Sequence, residues 1–395
     1  MLIGLVGKPS SGKSTFFKAA TLAEVEIASY PFTTIKPNHG VGYVKVDCIE
    51  REFGVKCQPA HGFCLKGNRF VPVELMDVAG LVPGASEGKG LGNQFLDDLR
   101  QADVFIHIVD CSGTTDEEGK PVASHDPSKD ILFLENELNR WFYNIMAKAW
   151  KTFVRKTEQE EGGSFSEAVA KQFSGLKVTE EHVKKVLSRL RLPEKPTKWN
   201  EDQLFWFASE LRTESKPTII AANKIDLEKA YANYQFLKMK FPGLIIIPCS
   251  ADSELALREA AKSDLIDYIP GERDFNIIGD LNEEQMAALD KIKESVLSKI
   301  PTGTGVQEIL NHAVFNLLKY IAIFPAGATK LMDSKGRILP DCFLLPFGST
   351  ALDFAYYLHT DFGNNFIKAI DARTKKAIGK NYELKHRDAL EIVTK

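Results

Sequence analysis

The sequence LIGLVGKPSSGKST, residues 2–15, contains a complete GxxxxGKS motif. Its apolar beginning, residues 2–6, predicts a buried strand, and residues 15–22 predict the helix that follows. The glycines between them let consecutive backbone N–H groups point at a phosphate. This order of strand, loop and helix predicts an α/β fold in which a P-loop domain carries a mostly parallel sheet.

The loop supplies most of the predicted nucleotide-binding residues. Lys13 is placed to bridge the β- and γ-phosphates, and the Ser14 hydroxyl is placed to ligate Mg²⁺. The predicted contacts come from Gly7, Lys8, Pro9, Ser10, Ser11, Gly12, Lys13, Ser14 and Thr15. The alternative is a glycine-rich turn that binds nothing, which the flanking strand and helix disfavour.

A second motif follows the next predicted strand. Residues 71–76 are mostly apolar and end in Asp77-Val78-Ala79-Gly80, a DxxG. Asp77 is expected to hold Mg²⁺ through water, and the Gly80 N–H is expected to sense a γ-phosphate. These two positions predict that the site distinguishes a nucleoside triphosphate from a diphosphate.

The third motif selects the base. The apolar residues 218–222 lead into Asn223-Lys224-Ile225-Asp226, an NKxD. The Asp226 carboxylate matches the N1–H and N2–H₂ donors of guanine, whereas adenine has an acceptor at N1. Asn223 is expected to tie this loop to the P-loop, and the stem of Lys224 to lie over the base. We therefore predict GTP and GDP as ligands of a Ras-like P-loop GTPase domain.

One more strand, residues 244–248, precedes Cys249, Ser250 and Ala251. The Ala251 N–H is a candidate donor to O6 of guanine, and Ser250 is predicted to lie in the same nucleotide-binding segment. Four motifs in this order, each at the end of a predicted strand, are unlike a chance match.

Composition limits the classes of protein that need to be considered. The chain has 395 residues, 44% apolar content, six cysteines and a net charge of −3. This length predicts two or three domains, and the charge argues against a uniformly basic nucleic-acid-binding surface. No apolar run approaches twenty residues, so we expect a soluble, cytoplasmic protein with no membrane partner. Nothing in the sequence requires more than a monomer.

The spacing of the motifs predicts the domain organisation. We expect a nucleotide-binding domain at residues 1–275, interrupted at about 125–215 by a helical, coiled-coil-like insertion, in its simplest form an antiparallel hairpin. Helical patterns at 282–299 and 305–318 predict a connector at 276–320. Residues 321–395 form the last predicted domain, whose local charge is +3. An RNA-facing patch and an ordinary solvated surface both fit that charge.

Two stretches resemble the switch segments of a known family. Residues 30–37, YPFTTIKP, are similar to the first switch of Obg-related GTPases, and residues 77–85 followed by GKGLGNQFL at 88–96 are similar to the second switch. The short N-terminus, the helical insertion and the C-terminal segment most resemble the YchF-type branch in its archaeal form. This resemblance implies an OBG-type G domain.

The C-terminal segment has a resemblance of its own. Residues 345–356, LPFGSTALDFAY, followed by LHTD at 358–361, resemble a TGS domain, a ubiquitin-like β-grasp module. Proteins with such domains act around ribosomes and structured RNA. The resemblance therefore implies a ribosomal or RNA partner, reached through the TGS domain.

Three departures from broader patterns bear on the mechanism. Ras-like enzymes carry a water-orienting glutamine directly after DxxG, but here the residue is Leu81, so we expect slow intrinsic hydrolysis. Ser10 replaces the asparagine that some potassium-activated relatives have, which makes activation by potassium doubtful. Asp226 is retained, whereas bacterial and eukaryotic YchF-type members depart from NKxD and favour ATP.

These features predict a slow GTP hydrolase that acts as a conformational switch. The predicted catalytic groups are Lys13, Thr34 and Gly80, and the predicted Mg²⁺ ligands are Ser14, Thr34 and Asp77, with Thr33 as the alternative to Thr34. Three other functions stay open. They are a binding module with negligible turnover, an NTPase that also uses ATP, and a phosphoryl-transfer enzyme, for which no acceptor site is visible.

Two further sets of residues are ambiguous. Cys48, Cys57, His61 and Cys64 could hold zinc, but their spacing fits no standard signature, so packed thiols or a Cys57–Cys64 bridge are favoured. His359 is interpreted as a structural or RNA-contacting histidine without a catalytic role.

Overall fold

Parallel strands form the centre of the larger sheet. The computed structural model describes residues 1–22, 38–78, 80, 84, 99–159, 163–327, 331–333 and 335–395. Within these residues the larger sheet has seven strands in the order β2-β4-β1-β5-β6-β7, with β3 paired to β4. The strands are β1 (Leu2–Val6), β2 (His39–Asp47), β3 (Phe63–Leu65), β4 (Asn68–Asp77), β5 (Val104–Asp110), β6 (Thr218–Asn223) and β7 (Ile246–Pro248).

The register of this sheet brings the predicted motifs together. β1 runs parallel to β4 and β5, β5 to β6, and β6 to β7, while β2 and β3 are antiparallel to β4. Leu5 lies opposite Asp77, and Asp110 lies opposite Asn223. Because parallel strands end at the same edge, their carboxyl ends and the loops that follow form one surface. The mostly parallel sheet that the sequence predicts is confirmed.

Helices pack against the larger sheet and also form the insertion. In the described part of the chain they are Lys13–Thr21, Glu50–Phe53, Pro127–Gln159, Phe165–Gln172, Glu180–Arg189, Glu201–Ser215, Ala230–Lys240, Ala251–Lys262, Glu283–Ile292, Val306–Asn311, Ala351–Leu358 and Thr360–Asn364. Short 3₁₀ turns lie at Ser174–Leu176 and Pro196–Lys198, and π-helical turns lie at Lys293–Leu297 and His312–Leu317. No helix among the described residues is both long and apolar enough to cross a bilayer.

The insertion is more elaborate than a two-helix hairpin. Its longest helix, Pro127–Gln159, packs against Glu201–Ser215, and two shorter helices lie between them in sequence. Thr179 and Asn200 each cap a helix through a reciprocal capping box. The prediction of a two-helix hairpin was therefore too simple. The helix Phe165–Gln172 is short, and its apolar pattern is too brief to identify it from sequence.

The C-terminal segment forms a second sheet, ordered β11-β10-β14-β12-β13. Its strands are β10 (Tyr320–Pro325), β11 (Phe343–Pro346), β12 (Phe366–Asp371), β13 (Ala377–Ile378) and β14 (Ala389–Thr394), while β8 (Ile266–Tyr268) and β9 (Phe275–Ile277) form a separate pair. Thr350 and Asp353 form the capping box that begins Ala351–Leu358. His359 caps the next helix by accepting the Asp361 N–H at 3.1 Å, which gives it a structural role.

A single apolar core joins the two sheets. Val44 and Val71 of the larger sheet share it with Ala322 and Phe324 of β10. Helix Val306–Asn311 also closes on β2, and the Gln307 side chain donates to the Tyr43 carbonyl at 2.8 Å. The C-terminal sheet is therefore packed on the first two-thirds of the chain and is not a tethered module.

We expect Trp150→Ala to destabilise the insertion by about 3–5 kcal/mol, because the ring is 5% exposed and its loss leaves a cavity. Its ring centroid lies 5.4 Å from that of Trp199 and 5.8 Å from that of Phe207. The matched control is Trp206→Ala in the same insertion. Trp206 is 61% exposed, so its replacement should change the free energy of unfolding by less than about 0.5 kcal/mol. Urea unfolding followed by circular dichroism measures both, and equal losses would contradict the expectation.

Candidate nucleotide-binding site

The backbone of the P-loop depends on two glycines. Gly7 has φ 150° and Gly12 has φ 94°, which favour glycine. A Cβ on Gly7 would lie 2.5 Å from the Ile108 carbonyl oxygen, and one on Gly12 would lie 2.3 Å from Nδ2 of Asn223. Gly12 also precedes Lys13–Thr21 and has no side chain to cap that helix. The first-turn N–H groups therefore face the loop, where an anion is favoured.

The two lysines of the loop point in different directions. Lys8 is 2% exposed, and its Nζ lies 2.8 Å from Oδ2 of Asp130 and donates to the Thr115 carbonyl at 2.7 Å. The Lys8 side chain is thus directed into the protein, which leaves its backbone for the predicted nucleotide contact. Lys13 Nζ donates to the Lys8 carbonyl at 2.7 Å, and burial lowers the pKa of Lys13 to about 8 against the opposing charge of Asp77.

The remaining loop residues are held by hydrogen bonds within the site. Ser11 is buried and its hydroxyl donates to the Lys8 carbonyl at 3.0 Å. Ser10 has φ 60°, and its carbonyl accepts from Lys224 Nζ at 2.8 Å. Thr15 lies in the first turn of the helix that follows the loop. The loop is therefore fixed in shape by its own protein contacts.

Ser14 and Asp77 meet at the end of β4. The Ser14 hydroxyl donates to Oδ2 of Asp77 at 2.9 Å. A hydroxyl and a carboxylate oxygen are the hard ligands that Mg²⁺ prefers, and Mg²⁺ keeps several waters besides. The donor set of these two residues therefore fits the predicted Mg²⁺ position.

Gly80 lies directly against the P-loop. A Cβ on Gly80 would lie 2.9 Å from the backbone nitrogen of Pro9. This places the second-switch backbone beside the loop that is predicted to hold the phosphates. Thr33, Thr34 and Leu81 lie outside the described residues, so their predicted roles stay predictions.

Asn223 connects three loops. Its Nδ2 donates to the Ser11 carbonyl at 3.0 Å, and its Oδ1 accepts the Ala251 N–H at 3.0 Å. The Cys249 thiol also donates to Oδ1 at 3.6 Å. The amide is 2% exposed and acts as a cross-link between the P-loop and the base-selecting loops.

Asp226 and its neighbours form the predicted base-selecting end of the site. The Ser250 hydroxyl donates to Oδ1 of Asp226 at 2.7 Å and so orients the carboxylate. The Ala251 N–H was predicted to donate to the base, but the structure shows it donating to Asn223. The contact of this N–H with the base therefore stays a prediction, and sequence alone does not show that the Asn223 amide reaches the next loop.

Asp110 is a site residue that the sequence analysis passed over. It is fully buried, and its Oδ2 accepts from Lys224 Nζ and from the Thr115 hydroxyl, both at 2.8 Å. Burial would raise the pKa of Asp110, but the hydrogen bonds from Lys224, Ser112 and Thr115 outweigh it and hold the pKa below its usual value. The available signal was an acidic residue at the end of a mostly apolar strand, Val104–Asp110.

A second missed network surrounds Asp130. Besides Lys8, this buried carboxylate contacts Nε2 of His125 at 2.7 Å. Burial raises the pKa of Asp130 against the opposing effect of Lys8. The ion pair between Lys8 and Asp130 joins the P-loop to the first turn of the insertion, 122 positions later in the chain.

Known families match most of this chain. Residues 2–141 match the 50S ribosome-binding GTPase family, residues 221–327 match the family described as Obg-like GTPase YGR210-like, G4 motif-containing domain, and residues 323–394 match the TGS domain.

Individual relatives match this chain over all or nearly all of its length. An uncharacterized GTP-binding protein of Methanocaldococcus jannaschii is 48% identical over 396 residues, covering 100% of this chain and 99% of the relative. The ribosome-binding ATPase YchF of Buchnera aphidicola is 29% identical over 375 residues, covering 93% and 86%. The crystal structure of a GTP binding protein from Pyrococcus horikoshii superposes with a TM-score of 0.78 at 40% identity and covers 100% of both chains. The chain is a GTP-binding protein that belongs to the YchF-type family of Obg-related GTPases and carries a C-terminal TGS domain.

Proposed function

We propose that this protein binds GTP with Mg²⁺, hydrolyses it slowly and acts as a nucleotide-dependent switch. The observation that carries the proposal is the convergence of three groups at one sheet edge. They are the P-loop with Lys13, the Ser14–Asp77 pair, and Asp226 held by Ser250. These groups match the phosphates, the metal and the guanine base in turn.

Mg²⁺ would supply charge neutralisation to the β- and γ-phosphates. Ser14, Asp77 and, in the first switch, Thr34 are the proposed ligands, Asp77 through water. Lys13 is the proposed partner of the β- and γ-phosphates, in place of the Lys8 carbonyl that it contacts in this structure. The oxygens of Ser14, Asp77 and Thr34 would hold the metal, and the Lys13 ammonium would hold the phosphates, without supplying a base for the attacking water.

The switch depends on the position of Gly80. Its backbone lies against Pro9, so a γ-phosphate in the P-loop would lie within reach of its N–H. The second switch would become ordered around the triphosphate and released by the diphosphate. Leu81 has no hydrogen-bonding group and cannot orient water, which is the reason for proposing slow turnover.

We further propose a ribosomal or RNA partner and a cytoplasmic location. A relative is named a ribosome-binding ATPase, and that match covers 93% of this chain. The C-terminal sheet exposes large apolar side chains, among them Phe347, which is 72% exposed, and aromatic rings are the usual platforms for unpaired bases. In this proposal residues 1–275, with their insertion, form the nucleotide-binding domain. Residues 276–320 connect it to residues 321–395, which bind the partner.

A second candidate function is ATP hydrolysis, because the same relative is named an ATPase. Asp226 argues against it, since its carboxylate would face the lone pair at N1 of adenine. Competition between the two nucleotides decides between these functions.

We expect Asp226→Asn to reduce the affinity for GTP by about tenfold or more and to leave ATP affinity within about threefold, because the lost carboxylate contacts only guanine donors. Displacement of a fluorescent GDP by each nucleotide measures this. The matched control is Asp252→Asn, an exposed carboxylate in the first turn of Ala251–Lys262. Unchanged GTP affinity in Asp226→Asn would refute the assignment of the base-selecting residue.

We expect the isolated protein to hydrolyse bound GTP in a single turnover at roughly 10⁻² s⁻¹ or less, against about 5–20 s⁻¹ for activated GTPases. Lys13→Ala should lower the rate further, because it removes the charge beside the γ-phosphate. Lys18→Ala, an exposed lysine of the same helix, should not. Phosphate release in a stopped-flow instrument measures both rates. A rate near the activated range would show that Leu81 does not slow hydrolysis.

We expect ribosomes or isolated subunits to retain the protein with a non-hydrolysable GTP analogue and to release it with GDP, since only the triphosphate would order the switches. Co-sedimentation over a salt series measures retention. Phe347→Ala should weaken retention, while Trp206→Ala in the insertion should not. Equal retention in all nucleotide states would contradict the proposed switch. No retention in any nucleotide state would contradict the proposed ribosomal partner.

A further inference from the structure

Three thiols and one carboxylate converge far from the nucleotide site. Cys48 follows β2, Glu50 begins helix Glu50–Phe53, Cys57 lies in the next loop, and Cys64 is in β3. Each supplies one ligand atom, and these four atoms lie within 4.8 Å of one another. We call these four residues the thiol cluster. The sequence had pointed to His61 as the fourth member, but its Nε2 lies 3.9 Å from Oδ1 of Asp341 instead.

Two of the separations within the thiol cluster have the values of a tetrahedral metal site, and all of them lie within 4.8 Å. Sγ of Cys48 lies 3.8 Å from Sγ of Cys57, and Sγ of Cys64 lies 3.6 Å from Oε1 of Glu50. A tetrahedral zinc ion with bonds of about 2.3 Å to sulfur and about 2.0–2.2 Å to oxygen requires edges of about 3.8 Å and about 3.5–3.7 Å. A disulfide would instead bring the sulfur atoms to about 2.05 Å.

The carboxylate of the cluster is already oriented. Oε2 of Glu50 accepts the Cys57 N–H at 2.8 Å, which leaves Oε1 directed at the thiols. Metal-ligating carboxylates are commonly held by such a hydrogen bond. The half-buried Glu50 side chain therefore has one oxygen for positioning and one for a metal.

An independent observation comes from Arg69. Its side chain is 0% exposed, it donates to the Leu339 and Pro340 carbonyls, and its Nε has no hydrogen-bond partner among the described groups. Among the described residues no carboxylate lies within salt-bridge distance of its guanidinium, and the thiols near it are those of Cys342 and of the thiol cluster. A buried cation needs nearby negative charge. Three thiolates and a carboxylate around one divalent cation carry a net charge of −2 and would supply it.

The cluster also lies where a structural metal would have an effect. The loop between Cys57 and Cys64 meets the C-terminal domain, since the Gln58 N–H donates to the Ile338 carbonyl and the Ala60 N–H to the Pro340 carbonyl, both at 2.8 Å. Few regular elements hold this loop, because helix Glu50–Phe53 has four residues and β3 has three. A metal would tie its ends together.

We propose that Cys48, Glu50, Cys57 and Cys64 bind one Zn²⁺ ion as a closed structural site that fixes this loop against the C-terminal domain. Three soft thiolates at tetrahedral spacing select zinc over the hard Mg²⁺ ion of the nucleotide site. The four ligands fill the coordination sphere, so the ion would take no part in hydrolysis.

The test is the metal content of the full-length protein, purified under reducing conditions without chelators. We expect about one zinc per chain by elemental mass spectrometry, and Cys64→Ser should lower this at least about fivefold. The matched control is Cys342→Ser, a buried thiol in the same apolar core but outside the cluster, which should retain the metal. Glu50→Gln tests the carboxylate ligand should Cys64→Ser fail to fold.

A second measurement needs no variant. Wild-type protein stripped of metal and loaded with Co²⁺ should show the intense visible absorption of a tetrahedral site and a thiolate charge-transfer band. The proposal is overturned by wild-type protein that holds less than about 0.1 zinc per chain and gives no such spectrum. It is equally overturned by an intact mass two hydrogens lower, which means a disulfide, or by a Cys64→Ser protein with undiminished zinc.

Discussion

The nucleotide site depends on the hydrogen bonds of one buried amide. Asn223 joins the Ser11 carbonyl of the P-loop to the Ala251 N–H of the last loop, and Gly12 must lack a side chain to admit it. The loops that are predicted to bind the phosphates and the base are thereby linked to each other. Lys224 adds a parallel link, because it reaches both Ser10 and the buried carboxylate at the end of β5. The P-loop and the base-selecting loops are consequently pre-organised relative to each other.

The β2–β4 ladder connects this edge to the opposite end of the molecule. It is paired continuously from His39–Met76 to Asp47–Asn68, a span of about 27 Å. Asp77 lies at one end, and Arg69 with the thiol cluster lies at the other. The nucleotide site and the thiol cluster therefore lie at the two ends of one continuously paired ladder. The shared apolar core packs the C-terminal sheet against this ladder.

Much of the fold and of the site could be predicted from local signals. The strand Leu2–Val6 has the predicted bounds, because an apolar run that leads directly into the P-loop leaves little choice. The capping box of Asn200 with Gln203 is likewise a local signal, since a cap is a contact over three residues. Helix Phe165–Gln172 was missed because one short turn of apolar pattern resembles a loop.

The P-loop, the DxxG and the NKxD can be identified from local sequence, because each depends on backbone shape and residue type within a few positions. The direction of the Lys8 side chain, the hydrogen bond from the Ala251 N–H to Asn223 and the position of Glu50 beside the thiols become known only from the packed structure. The physical reason is common to all three. Each is a side-chain contact set by how separate segments pack, and neither spacing nor periodicity encodes the direction of a buried polar group.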